Sequence, residues 1–334
     1  MRISRRFFLH STAITAAVTS MRRALPAASF VASPTECTFR MAVITDEISQ
    51  DFGEACETAT RQMGLGWVEI RTLWGKNITL LDEKEIAEAK KILKKNQLKI
   101  TNLGSPLFKV PWPHSDQADN KLGKLDRGSF DNEFGFKQQD EVLERCISLC
   151  KQLDTERIRC FDFLALKDQK PYRDAINAKL RQASEKCEKH KVILVLENEE
   201  SCNTQTAEQA IEVLKAVPNR NFMLNWDPAN EAAVGGQPFP QGWSLLPKDR
   251  IGHVHCKDVV RKNGSYVWSP IGGGVMDWVG QFRALAAAGY HLGVSLETHW
   301  RGPGTKEEAT QKSMDGLKSA LRQAEIPCSR VLQL

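Results

Sequence analysis

Several things are scarce in this sequence of 334 residues, and each scarcity removes a class of function. No apolar stretch approaches the roughly 20 residues that a bilayer-spanning helix requires, so stable membrane insertion is not expected. The nine cysteines, Cys37, Cys56, Cys146, Cys150, Cys160, Cys187, Cys202, Cys256 and Cys328, are odd in number, and no pair falls at a redox or zinc-ribbon spacing. A disulfide scaffold is therefore not expected, and the thiols read as free; Cys146 and Cys150, one helical turn apart, suit core packing. Acidic residues are missing from the first 33 positions, which hold Arg2, Arg5, Arg6, Arg22 and Arg23 and so carry the whole formal charge of +5. The remainder is neutral, which argues against a phosphate-backbone binder, so no nucleic-acid partner is expected, because such proteins need a basic face. Low-complexity tracts and interdomain linkers are lacking too, so the chain reads as one domain after its first segment.

What is present is a repeat. From Phe39 onward, apolar runs of strand length alternate with helical patterns about eight times. The strands are expected at residues 40–45, 67–73, 99–104, 157–163, 192–197, 221–227, 252–257 and 292–298. Eight strands over roughly 285 residues give about 35 residues per unit, the spacing of an α/β fold closed as a single-domain (β/α)8 TIM barrel. The helices between them show apolar stripes, such as Val142/Cys146/Leu149, Ile176/Leu180/Ala183/Cys187, Val279/Phe282/Leu285/Ala286 and Met314/Leu317/Leu321. Asp82 with Glu85 three residues on predicts a capping box. The barrel is expected over 39–324, with a tail over 325–334. Two segments interrupt the repeat: 105–132, rich in Pro and Gly and long enough for a lid on the active rim, and 230–247, which reads as a long loop with at most a short helix.

Four predicted strands end on a metal-type ligand: Glu197, Asp227, His255 and Glu297, spaced by 30, 28 and 42 residues. That is one strand plus one helix each time, as when successive parallel strands deliver side chains to one rim of a barrel. Any one of them alone reads more naturally as a cap, an ion-pair partner or a satisfied core histidine; the common register makes them a metal site. Three carboxylates and an imidazole form a hard, mostly oxygen shell for one divalent ion, with Mn²⁺ the first expectation and Mg²⁺, Co²⁺ or Zn²⁺ as alternatives. Alternation along a strand adds further polar groups to the same side: Asn225 with Asp227, His253 and Lys257 with His255, Ser295 and His299 with Glu297. Candidate substrate contacts are Glu69, Arg71, Asn230, Lys257, His299 and Arg301, with Trp300 between the last two, because an aromatic face beside charged donors suits a sugar ring. For Glu69, Arg71 and Lys257 structural ion pairing is an equal reading, and His253 reads as a buried, hydrogen-bonded residue. Gly272-Gly273-Gly274 is too short for a dinucleotide fingerprint and reads as a tight rim turn.

The N-terminus, Ser4-Arg5-Arg6-Phe7-Phe8-Leu9 followed by a small-residue apolar run from Ala13 to Val18, resembles a bacterial twin-arginine export signal. Residues 1–33 are accordingly expected to direct a folded protein to the periplasm or beyond.

From Phe39 to Ala324 the chain also resembles the sugar phosphate isomerase/epimerase family, the xylose-isomerase-like barrels. The marks are Thr45-Asp46-Glu47-Ile48, Val68-Glu69-Ile70-Arg71, Leu196-Glu197-Asn198, Asp227-Pro228-Ala229-Asn230, His253-Val254-His255-Cys256-Lys257-Asp258, Gly272-Gly273-Gly274 before Asp277-Trp278, and Leu296-Glu297-Thr298-His299. Carried over position by position, the family's metal ligands fall on Glu197, Asp227, His255 and Glu297. The resemblance implies a divalent-metal-dependent isomerase or epimerase of a sugar or keto-sugar, moving a proton next to a carbonyl through a metal-bound enediolate, with Glu197 and Glu297 as the acid/base pair. The alternative is a lyase or dehydratase performing β-elimination on a 3-keto-glycoside or keto-cyclitol at the same site; a non-catalytic sugar-binding barrel is a third reading. Asn230, where ketose 3-epimerases usually carry His, and Lys257-Asp258, where they carry an Arg shortly after the ligand His, argue against identity with those epimerases. Only seven histidines occur, too few for the three-metal site of the endonuclease IV branch. Assembly into an oligomer is left open.

Overall fold

A computed structural model describes residues 37–117, 134–302, 304–328 and 331. The export signal expected over 1–33 and the later half of the expected lid lie outside the described residues. Eight parallel strands form the barrel: β1 (Arg40–Val43), β2 (Trp67–Ile70), β3 (Lys99–Leu107), β4 (Arg157–Cys160), β5 (Ile193–Glu197), β6 (Phe222–Trp226), β7 (Ile251–Cys256) and β8 (Gly293–Leu296). Their hydrogen-bonded order is β1-β8-β7-β6-β5-β4-β3-β2, and a parallel bridge between Ile44 and Glu69 joins β2 back to β1. Every strand start falls within a residue of its sequence expectation.

Helices cover the barrel through the stripes read from the sequence. Val142, Cys146, Ile147 and Leu149 are buried on Gln139–Gln152, Ile176, Leu180, Ala183 and Cys187 on Arg173–Lys189, and Met314, Leu317 and Leu321 on Lys306–Gln323. The helix Glu83–Lys95 opens with the expected box: Asp82 Oδ1 accepts from the Glu85 amide at 2.8 Å and Glu85 Oε2 from the Asp82 amide at 2.9 Å. Each such cap satisfies amides that the first helical turn leaves without partners. Among the described residues no helix is long and apolar enough to cross a membrane.

One expectation is corrected. Cys37 and Cys328 form a disulfide, while Cys56, Cys146, Cys150, Cys160, Cys187, Cys202 and Cys256 are free and buried. The pair is separated by 291 residues, beyond the reach of spacing patterns. Barrel closure explains it: β8 lies beside β1, so the segment entering β1 meets the segment leaving the last helix, and the Thr38 amide donates to the Pro327 carbonyl at 2.9 Å. The expected tail packs on the barrel there, with Ile326 and Cys328 buried.

Two excursions on the rim shape the site. Lys99–Leu107 runs three residues past its expected end, and the chain continues through Trp112, whose ring meets Phe136 at 5.2 Å and Phe163 at 4.8 Å, both edge-on. After β7 an antiparallel hairpin, Asp258–Lys262 with Ser265–Ser269, rises beside the barrel mouth. The segment 230–247 holds the end of a short helix, Pro228–Ala233, and single turns at Pro238–Gly242 and Trp243–Leu245.

Candidate functional site

The four candidate ligands at the strand ends meet. One ligand atom from each of Glu197, Asp227, His255 and Glu297 lies within 4.8 Å of the others, and all four side chains are buried. Local sequence aims each one. Asp227 is the N-cap of Pro228–Ala233, with Pro228 in the first turn; its Oδ1 accepts the Asn230 amide at 2.9 Å, which leaves Oδ2 for the site. Asn198 brackets the Asp227 backbone, accepting from its amide at 2.8 Å and donating to its carbonyl at 2.7 Å. Glu297 follows β8 directly, and its amide donates to the Cys256 carbonyl at 2.9 Å.

The His255 ring divides the surroundings. Its Nδ1 lies 3.1 Å from Glu197 Oε1, 3.1 Å from Glu297 Oε2 and 3.8 Å from Asp227 Oδ2, while Nε2 lies 3.0 Å from Glu69 Oε2. Glu69 Oε1 is in turn held by Asn102 Nδ2 at 2.8 Å. With an ion bound on the Nδ1 side, the carboxylate behind the imidazole would hold the remaining proton on Nε2. Burial pulls the His255 pKa down, but Glu69, Glu197 and Glu297 outweigh it and hold it well above the ordinary value. Burial pushes Glu69 up, yet His255 and His253 bring it down to about 2. His253, one layer deeper, contacts Asn225 Oδ1 at 3.0 Å and Thr101 Oγ1 at 3.2 Å, and burial drops it to about 3, so it is a neutral, satisfied residue as read from the sequence.

Each ligand glutamate is gripped by its own buried arginine. Arg71 Nη1 donates to Glu297 Oε1 at 2.6 Å, and its remaining nitrogens bind both oxygens of Asp46 and, at 2.7 Å, Glu47 Oε1. Arg159 Nη1 donates to Glu197 Oε2 at 3.1 Å, with Nε and Nη2 spent on the carbonyls of Ser105 and Gly104. In both glutamates one oxygen serves the arginine and the other faces His255. Lys257 Nζ lies 3.0 Å from Asp227 Oδ2 and 2.7 Å from Glu297 Oε2, and not beside Asp258. Burial raises the Asp227 carboxyl to about 6 against the pull of Lys257, whereas Lys257, His299 and His255 overcome burial at Glu297 and hold it well below the usual range.

These residues fit a divalent ion. Asp227 Oδ2 and Glu297 Oε2 are buried and accept no well-directed hydrogen bond among the described residues, although the charges of Lys257 and His255 stand close to both. Buried carboxylate oxygens without donors are costly unless a cation completes them. Two neighbouring groups, Glu69/His253/His255 and Glu47/Glu297/His299, also have suitable atoms close together. In the first, His253 is already committed to Asn225 and Thr101; in the second, Glu47 is committed to Arg71 and, at 2.9 Å, to Arg301.

The candidate substrate contacts separate into two sets. Glu69 and Arg71 are fully buried behind the ligands, where they orient His255 and Glu297. Asn230 Nδ2 donates to the Asn198 carbonyl at 2.9 Å and reaches Glu197 Oε1 at 3.4 Å. Lys257 is buried as well, against Asp227 and Glu297, whereas His299 and Arg301 lie further out, with His299 Nε2 3.4 Å from Glu297 Oε1 and Arg301 39% exposed at its side chain. Sequence reasoning missed Arg159; two arginines, Arg157 and Arg159, on one side of a buried barrel strand were the available signal. It also missed Lys109, which pairs with Glu199 at 3.2 Å across the rim and helps to bring that carboxyl down to about 2, while burial and Glu199 push Glu200 up to about 8.

Among curated protein sequences none matches this chain. Solved structures do resemble it in fold. An IolI protein with a bound zinc atom superposes with a TM-score of 0.64 at 19% identity, over 85% of this chain and 98% of that one. The probable 3-DHS dehydratase AsbF from Bacillus anthracis gives 0.62 at 18% identity, over 84% and 98%. A D-allulose 3-epimerase from Methylomonas sp. gives 0.61 at 16% identity, over 86% and 100%. The family model described as xylose isomerase-like TIM barrel matches residues 58–320, most of the barrel, and the chain belongs to that family.

Proposed function

We propose that this protein is a divalent-metal-dependent isomerase or epimerase of a sugar or keto-sugar, acting by proton transfer next to a carbonyl. The observation that carries the reading is the paired arrangement of Glu197 and Glu297 around His255 Nδ1, each glutamate anchored through one oxygen by a buried arginine. Glu197, Asp227, His255 and Glu297 would hold the ion, which when bound would polarise a substrate carbonyl and offset the negative charge growing on its oxygen. Glu197 and Glu297 come from strands on different sides of the mouth, so a substrate between them has a carboxylate on each face. One takes the α-proton and the other returns a proton to that carbon from the opposite side, which inverts it; delivery by the first to the adjacent, former carbonyl carbon, with the hydroxyl proton passing between the two oxygens, moves the carbonyl instead. Arg71 and Arg159 keep both carboxylates aimed, and Lys257 Nζ donates to a substrate oxygen. Mn²⁺ is the ion we expect first, and a zinc atom in a structural neighbour is in keeping with such a ligand set.

Elimination is the second reading. The same proton abstraction followed by loss of a β-substituent would make the protein a lyase or dehydratase on a 3-keto-glycoside or keto-cyclitol, and a dehydratase as well as an epimerase stands among the structural neighbours. A metabolite panel of keto-sugars and keto-glycosides incubated with and without Mn²⁺ and read by mass separates the two. Isomerisation conserves mass, and elimination divides or dehydrates the substrate. No turnover of any member with metal supplied would leave a sugar-binding barrel.

Export through the twin-arginine route is part of the same proposal. The Cys37–Cys328 disulfide supports it, since such bonds persist in oxidising compartments. Arg5→Lys/Arg6→Lys should hold the precursor in the cytoplasm, and unchanged export of that variant would remove the assignment.

A further inference from the structure

The hairpin after β7 carries an aromatic side chain to the metal-ligand quartet, and the fold holds it there firmly. Asp258, next after Lys257, accepts the amides of Val259 at 2.9 Å, Gly272 at 2.9 Å, Gly274 at 3.2 Å and Met276 at 3.1 Å, so one carboxylate ties the hairpin to the glycine turn. Gly274 has to be glycine for this: a Cβ there would lie 2.2 Å from both Asp258 Oδ1 and the Val259 carbonyl. Val259, paired with Trp268 across the hairpin, packs on Ala229, Ala232 and Ala233 of the short helix that Asp227 caps, and Trp268 leans on the same group.

The Trp268 ring is only partly buried, unlike the core indoles of Trp226 and Trp278. Its centroid is 5.3 Å from Lys257 Nζ, which itself touches Asp227 and Glu297, and 5.4 Å from the His299 ring at 48°. A partly exposed indole is thus set one side chain away from the carboxylates, with an ammonium and an imidazole beside it. A closed pyranose ring has hydroxyls around its edge and a patch of C–H groups on its face. An aromatic plane flanked by hydrogen-bonding side chains complements both at once, whereas an open chain offers no flat apolar face to stack.

We propose that Trp268 is the platform of a ring-binding subsite that selects cyclic sugars, pyranosides, over open-chain ones. This rests on the reading of the substrate as a keto-sugar and adds that its carbonyl is carried on a closed ring, together with the residue that recognises that ring. The test is equilibrium binding, by saturation-transfer NMR and calorimetry on the whole Mn²⁺-loaded protein, of methyl β-D-glucopyranoside and of D-sorbitol, a six-carbon open-chain polyol. Wild type should prefer the pyranoside by about tenfold, Trp268→Ala should abolish that preference, and Trp268→Phe should keep most of it. Circular dichroism checks that both variants fold, and Trp268→Phe decides the matter if the alanine variant does not. Equal affinity of wild type for the two probes, binding of neither, or an unchanged preference in Trp268→Ala would overturn the proposal, as would its loss in a folded Trp268→Phe. Binding is read without turnover, so ring preference without any reaction on the keto-sugar panel would remove the proposed chemistry and leave the subsite standing.

Discussion

Glu69 Oε2 stands 3.0 Å from His255 Nε2, on the far side of the ring from the three ligand carboxylates. Asn102 holds the other oxygen of Glu69, so the imidazole is oriented by a chain of two residues on β2 and β3 that never reach the open rim. Partners of this kind govern metal affinity through the ligand they orient. Glu69→Gln keeps the shape but removes the negative charge, and it should weaken Mn²⁺ binding by about 10–100-fold while the barrel stays folded. Calorimetric titration with metal measures it; an unchanged dissociation constant would show that His255 needs no such support.

The quartet itself is tested by removing Asp227 and His255, the two members to which no proton-transfer role is assigned. Asp227→Ala/His255→Ala should abolish metal retention after dialysis and leave the circular dichroism spectrum intact. Stoichiometric metal in that double variant, read by elemental analysis, would place the ion elsewhere.

Much of this was legible in the sequence because a barrel imposes a rhythm. One strand and one helix per unit set the spacing of Glu197, Asp227, His255 and Glu297, and strand alternation set which neighbours share their side, so the quartet could be named from spacing alone. What spacing does not encode is contact across the barrel. Arg71, just after β2, grips Glu297 after β8, and Arg159 on β4 grips Glu197 on β5; the sequence left Arg71 open between substrate contact and structural ion pairing and could not name its partner. The Cys37–Cys328 bond was hidden for the same reason, since closure alone brings those ends together. The hairpin of Trp268 was hidden because a short two-stranded excursion carries no period that distinguishes it from a loop.

The disulfide should matter to the fold and not to the site. Joining the two ends of a long chain restricts the unfolded ensemble, and losing such a bond typically costs about 2–5 kcal/mol. Cys37→Ala/Cys328→Ala is therefore expected to lower the denaturant midpoint with metal affinity unchanged. A loss of metal binding in the folded variant would tie the chain ends to the rim.

Stability should also respond to pH through Glu231. Its carboxyl is buried against the start of Ala207–Ala216, and burial raises it to about 7, opposed by the Ala207 amide that donates to Oε2 at 2.8 Å. In the unfolded chain the group ionises near its ordinary value of 4.5. Below that pH it is neutral in both states and costs nothing; as pH rises from about 4.5 to about 7 the unfolded chain releases the proton more readily, and stability falls. Glu231→Gln keeps an oxygen for the amide and removes the ionisation, so its Tm relative to wild type should rise between pH 5 and pH 8. A difference that stays constant across that range would show that Glu231 does not titrate on unfolding.

The two arginine-held glutamates lead to the most direct test of chemistry. If the reaction begins by removing a proton next to a carbonyl, a turned-over keto-sugar in D₂O should carry deuterium at that carbon in product or recovered substrate, because a carboxylate base exchanges its proton with solvent. Glu197→Gln and Glu297→Gln should each lose this exchange, since an amide fills the same space but cannot take the proton. Metal affinity should fall as well, each glutamate being also a ligand, so exchange is to be compared at saturating Mn²⁺. The expected loss of rate is about 10²–10⁴-fold for either variant, with a much smaller change in substrate binding. Mass-conserving turnover with no solvent deuterium would point to a hydrogen that never leaves the substrate, a hydride shift between adjacent carbons. Glu197 and Glu297 would then keep their place as ligands and lose the acid/base roles assigned to them.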